Sequence, residues 1–111
     1  MLLEVTLYKT TPLHNTTADD NVAVGYEALM SNTTGYDNTA IGSAALDACT
    51  TGYENVAVGK GAGSSLITAN SLCAVGFEAA LNTTVSDITA FGHKALRANT
   101  TGNNNTALGR K

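Results

Sequence analysis

A five-residue motif returns along the chain at a nearly fixed interval, and that interval limits the folds open to it. Asn21-Val22-Ala23-Val24-Gly25 recurs as Asn38-Thr39-Ala40-Ile41-Gly42, Asn55-Val56-Ala57-Val58-Gly59, Leu72-Cys73-Ala74-Val75-Gly76, Ile88-Thr89-Ala90-Phe91-Gly92 and Asn105-Thr106-Ala107-Leu108-Gly109. The steps are 17, 17, 17, 16 and 17 residues. A period this regular denotes a repeat architecture, in which one unit cannot bury its apolar face alone and neighbours stack to do so. Counting back another 17 residues reaches Glu4-Val5-Thr6-Leu7-Tyr8, which keeps the apolar places but not the Ala or the Gly. The chain therefore reads as one repeat domain over 1–111, with coils at about 4–20, 21–37, 38–54, 55–71, 72–87 and 88–104 and a partial coil at 105–111. The first coil is degenerate, as a cap is, and it holds the only proline, Pro12, where a missing ladder donor does least harm.

In the motif the second and fourth places are apolar or β-branched, and the third is Ala in all six copies. Alternation with period two, rich in Val, Ile and Thr, argues for a strand whose side chains point to opposite faces. One strand per coil in fixed phase stacks as a parallel β-roll, with rungs about 4.8 Å apart. One face carries a ladder of large groups: Val24, Ile41, Val58, Val75, Phe91 and Leu108. The other carries a ladder of methyls: Ala23, Ala40, Ala57, Ala74, Ala90 and Ala107. Size alone assigns the large ladder to the core of each coil and the Ala ladder to a close approach between chains.

After each Gly comes a second apolar patch, Ala28-Leu29, Ala45-Leu46, Ala79-Ala80-Leu81 and Ala95-Leu96. A segment such as Tyr26-Glu27-Ala28-Leu29-Met30 fits a short outer strand or a single helical turn, since Glu, Ala, Leu and Met favour helix but five residues do not hold one unaided. Asn-Thr-Thr-Gly or Thr-Thr-Gly then turns the chain back. The coil at 55–71 departs most, with Gly61, Gly63, Ser64 and Ser65 in place of the patch, and the coil at 72–87 is one residue short. A bulge or an altered turn is expected in each.

Composition removes several function classes. The net charge is −3 with no basic cluster, so a nucleic-acid footprint is absent. No apolar run approaches a membrane span. Met1-Leu2-Leu3-Glu4-Val5 lacks the basic and long apolar regions of a secretory signal, which favours assembly in the cytoplasm. The end at Lys111, early in a repeat, is what a segment of a longer repetitive protein would show. Cys49 and Cys73 fall in different columns of the repeat, so they read as small apolar fillers rather than as a disulfide or a zinc site.

The run at 38–59, NTAIGSAALDACTTGYENVAVG, resembles the NTAxG…AL…NTTG repeats of phage and viral tail-fibre shafts and fibre-like adhesins. It is also similar, at a longer period, to the SVAIG-type repeats in the heads of trimeric autotransporter adhesins. The resemblance covers about residues 4–111. It implies a mainly β roll, three chains intertwined or side by side around a common axis, and a place in a virion tail fibre or at the cell surface. On that reading the Ala ladder is the trimer contact. Partners would be the chain itself and a cell-surface glycan or envelope component, with no cofactor.

Other motifs carry less. The glycine-rich run at 59–65 is neither a Walker loop nor a dinucleotide fingerprint. His14 and His93 occupy different columns and have no nucleophile placed beside them, so no catalytic residue is named and an enzyme is not expected. Asp20, Asp37, Glu54 and Asp87 share a column that a Ca²⁺ ion could bridge, though a solvated carboxylate at each turn explains them as well and no metal ligand is named. The Thr pairs at 33–34, 50–51, 83–84 and 100–101 form a polar column, which leaves open a second reading as a solenoid that binds polysaccharide or ice. Asn15, Asn32, Asn82, Asn99 and Asn104 are formal glycosylation acceptors that follow from the repeat.

Overall fold

The structure, a computed structural model, describes residues 18–110. The degenerate first coil, with Pro12 and His14, lies almost wholly outside these residues. Six strands follow in chain order: β1 (Val22–Val24), β2 (Thr39–Ile41), β3 (Val56–Val58), β4 (Leu72–Val75), β5 (Ile88–Phe91) and β6 (Thr106–Leu108). They form one parallel sheet in the order β1-β2-β3-β4-β5-β6. Each Ala pairs with the next: Ala23 with Ala40, then Ala57, Ala74, Ala90 and Ala107. The repeat phase read from the sequence is thus the register of the sheet, and the described chain is a β-solenoid of about five turns.

The wall opposite the sheet is neither strand nor helix. Ala28 N–H donates to Gly25 O and Met30 N–H to Glu27 O, while Leu29 N–H reaches across to Ala45 O of the next coil at 3.0 Å. Glu27 and Leu29 have φ of 61° and 51°. A negative then a positive φ inside a three-residue hydrogen bond marks a type II turn. The two left-handed places recur in each coil from 21–37 to 88–104, and the peptides between the turns form rungs to the neighbour. This replaces the helical turn that composition favoured. Gly61 and Gly63 hold the same left-handed places, at φ 69° and 61°. The glycine-rich coil therefore repeats its neighbours' turn and contains no bulge, contrary to expectation. The missing residue of the 72–87 coil is absorbed between Thr83 and Ser86: Thr83 N–H still bonds Ala80 O, as Asn32 N–H bonds Leu29 O, and Ser86 Oγ still serves Asn70 N–H, as Asn70 Oδ1 serves Tyr53 N–H.

The core lies between the sheet and the turn wall, and it reverses the expected faces. Ala40, Ala57, Ala74 and Ala90 are fully buried together with Leu29, Leu46 and Leu66. Of the large ladder, Ile41 is 39 % exposed, Phe91 50 % and Leu108 83 %; Val24, Val58 and Val75 are half-buried. The assignment of Val24, Ile41, Val58, Val75, Phe91 and Leu108 to the core is therefore corrected. The reason is depth. The turn wall sends its own leucines inward, and a methyl is all that fits opposite them. A Cβ built on Gly63 would meet Leu72 Cδ2 at 2.6 Å, Leu46 Cδ2 at 3.0 Å and Ala57 Cβ at 3.9 Å, so turn leucine, strand alanine and next-coil leucine converge there.

Two further ladders run along the axis. Asn21, Asn38 and Asn55 point inward just before their strands. The Oδ1 of Asn21 accepts Asn38 N–H at 3.0 Å, that of Asn38 accepts Asn55 N–H at 3.1 Å, and that of Asn55 accepts Leu72 N–H at 2.9 Å. Their Nδ2 groups donate to Gly35 O, Gly52 O and Ala69 O. The motif's glycines stack just as tightly: a Cβ on Gly42, at φ 128°, would sit 2.7 Å from the carbonyl carbon of Gly59.

Candidate functional site

The outer face of the sheet is the surface that a stack of this kind leaves unpartnered. Its two columns hold Val22, Thr39, Val56, Cys73, Thr89 and Thr106, and Val24, Ile41, Val58, Val75, Phe91 and Leu108. None of the twelve is charged, and nine are apolar. Six rungs at the usual spacing make a stripe about 24 Å long. Scattered apolar residues on a surface need no explanation, whereas a contiguous apolar stripe marks an interaction surface.

Different chemistry borders the stripe on each side. Just before the strands stand Asp20, Asp37, Glu54, Ser71, Asp87 and Asn104, all exposed and all left-handed, with φ between 54° and 60°. Asp and Asn accept that conformation more readily than most residues, so the acidic column is a corner requirement. Just after the motif glycines stand Tyr26, Ser43, Lys60, Phe77, His93 and Arg110. Phe77 stacks on His93 with ring centroids 5.3 Å apart, and Lys94 Nζ lies 5.8 Å from the Phe77 centroid. Glu78 holds Arg97 Nε at 2.8 Å and Lys94 Nζ at 3.9 Å. Tyr36 and Tyr53 stack in parallel at 4.9 Å on the acidic side. Loss of water around the ring raises the Tyr36 pKa, with the charges near it adding to the effect, and a hydrogen bond to Glu27 raises that of Tyr26.

The chain's other reactive groups do not gather. Among the described residues no three of His, Cys, Asp and Glu are placed to hold a metal ion, and no helix is long and apolar enough to cross a membrane. Cys49 is buried in the column of Asn32, and burial pushes its thiol up to about 11; Cys73 lies on the outward face. Asp47, on the turn side, has a buried Oδ1 with no partner. Burial raises its carboxyl pKa, against the pull of the Ser64 hydroxyl and the backbone amides of Asp47 and Ala48. Thr33, Thr50 and Thr84 turn their hydroxyls onto the carbonyls of Thr50, Ile67 and Thr100. The Thr column thus partly serves the coil's own ladder, and Ile67 interrupts it.

The Ala ladder, assigned from sequence to the contact between chains, lies inside the coil, and the large ladder takes the outward position. The signal that could have separated them is the Ala-Leu patch: a coil that supplies leucines from its turns has little room for more from its strand. Comparison with protein-family models, with curated proteins and with solved structures finds no match.

Proposed function

We propose that this chain is a structural segment of a trimeric fibre, from a phage tail or a cell-surface adhesin, that supports attachment to a host or target cell. The observation that carries the reading is the uncharged, apolar outer face of the six-stranded sheet. A solenoid whose rungs all repeat at one pitch offers the same stripe at every level. Copies laid side by side can cover that stripe along their whole length, so the assembly gains stiffness in proportion to the number of coils. The two face columns and the two bordering columns hold 24 residues, within the range of about 20–30 per side of a stable interface. The segment acts as a spacer and support, with recognition of a glycan or envelope component left to a tip.

The experiment is native mass by light scattering on a size-exclusion column, with the native chain and Val58→Asp compared. Three chains for the native protein and one for the variant, with unchanged circular dichroism, is the expected result. A native monomer at high concentration would sink the reading and direct attention to the Thr column and to polysaccharide or ice binding.

A further inference from the structure

Tyr36 and Tyr53 hold the same place in successive coils, and their rings lie 4.9 Å apart with planes inclined by 1°. We infer that this pair is a site of oxidative cross-linking. A peroxide acting through a haem peroxidase joins the two rings into one dityrosine, which staples the coil at 21–37 to the coil at 38–54. Both rings belong to one chain, so the chemistry is independent of how copies of the chain associate.

The backbone ladder sets the pair. Glu54 N–H donates to Tyr36 O at 3.1 Å, Ser71 N–H to Tyr53 O at 3.3 Å, and Tyr53 N–H to Asn70 Oδ1 at 3.0 Å. The ring separation is therefore that of the rungs, about 4.8 Å. Aromatic pairs left to themselves favour offset or edge-to-face contact; here the coil pitch keeps the planes parallel and the rings together. Tyr36 is 42 % exposed and Tyr53 is half-buried, so an oxidant reaches the pair from solvent. No third ring shares the column: Asp19 precedes the pair, and Asn70, Ser86 and Asn103 follow it. Tyr26 lies in a different column with Ser43 in the next place, so it has no ring to couple with in its own column.

The electrons and atoms balance within the pair. Each phenol gives up one electron and its hydroxyl proton, which leaves two phenoxyl radicals with spin on the carbons ortho to oxygen. One such carbon from each ring forms the new C–C bond. Each of these carbons then releases its hydrogen as a proton while its oxygen takes one up, and both rings are phenols again. The two electrons and two protons removed reduce the O–O bond of one hydrogen peroxide, giving two waters. Nearness held by the coils makes the coupling step effectively unimolecular. The product adds a covalent bond between coils joined at this column by backbone hydrogen bonds, and it restricts the unfolded chain as any cross-link does.

The experiment treats the full chain with hydrogen peroxide and a haem peroxidase, in a Cys73→Ser background so that the outward thiol does not consume oxidant. The expected product is a single chain lighter by two hydrogens, with dityrosine fluorescence. Proteolysis and mass spectrometry should map the link to Tyr36 and Tyr53, and the product should unfold at higher denaturant than the untreated chain. Tyr36→Phe and Tyr53→Phe should each lose the product and Tyr26→Phe should keep it, with circular dichroism showing that all three fold. In denaturant the yield within one chain should fall by on the order of ten-fold, as the local concentration of one ring near the other falls. An equal yield from the unfolded chain would overturn the inference, because nearness in sequence would then set the coupling. A link through Tyr8 or Tyr26, or a product made only of joined chains, would overturn it as well.

Discussion

Asn38 Oδ1 accepts two hydrogen bonds from Asn55, one from its backbone N–H at 3.1 Å and one from its side-chain amide at 3.0 Å. The same Asn38 donates from its Nδ2 to Gly52 O at 2.8 Å and from its backbone N–H to Asn21 Oδ1 at 3.0 Å. One buried residue, through its side chain and its backbone N–H, therefore ties three coils together. The ladder ends where Leu72 and Ile88 take the same place, both buried; there the strands are one residue longer, and Leu72 pairs with Ile88 in the sheet itself.

Asn38→Ala should cost about 2–4 kcal/mol, because it strands the buried Asn55 N–H and leaves the Gly52 carbonyl only the weak Cys49 thiol as a donor. Denaturant melts followed by circular dichroism measure this. A loss of under about 0.5 kcal/mol would show that the ladder holds register without adding stability.

Ala57→Leu and Val58→Asp, adjacent in one strand, should act on opposite faces. The leucine overpacks a site already shared with Leu46 and Leu72, and should lower stability by about 1–3 kcal/mol. The aspartate points outward and should leave an isolated chain's melting nearly unchanged while it abolishes association. If Val58→Asp unfolds a dilute monomer, the face assignment is wrong.

The two cysteines should report on the two environments. Cys49, buried and pushed up to about 11, donates to Gly52 O at 3.8 Å and should stay unmodified by a thiol reagent at pH 8 until denaturant is added, since the thiolate is the reactive form. Cys73 should react in dilute chain and become protected as concentration rises. Equal labelling at every concentration would argue against association through the sheet.

Asp47 should make the fold sensitive to pH. Its carboxyl titrates above the unfolded value, so the folded chain holds the proton more tightly and the ionised carboxylate opposes folding. Stability from this group is present at low pH and is lost as pH rises through the folded pKa. Asp47→Asn should therefore melt above the native chain at neutral pH, with the gap closing on acidification. A constant gap across the titration would assign the effect to packing.

Much of this fold could be read from spacing. The interval from Asn21 to Asn38 to Asn55 fixes the coil, and the Ala at every third place fixes the register from Ala23 to Ala107. Which face turns inward could not be read, because alternation separates two faces without ranking them. The usual preference for burying Val and Ile over Ala fails here, since Leu29, Leu46 and Leu66 enter the core from the other wall. The turn wall was hidden for a related reason. Glu27, Leu29, Ala44 and Leu46 are good helix formers held in left-handed conformations, a cost of order 1–3 kcal/mol each that the rungs to neighbouring coils offset. The acidic column carried a signal of corner geometry that reads just as readily as a ligand set.

Because each coil satisfies its polar groups on the equivalent positions of its neighbours, the seventeen-residue unit is also a unit of heredity. A whole unit can be duplicated or lost, and every surviving Asn, Gly and Ala finds a partner of its own kind. A single residue can be lost only at a corner, as between Thr83 and Ser86. Selection can therefore set the length of such a rod in increments of about 4.8 Å, a molecular ruler whose graduations are copies of one short sentence.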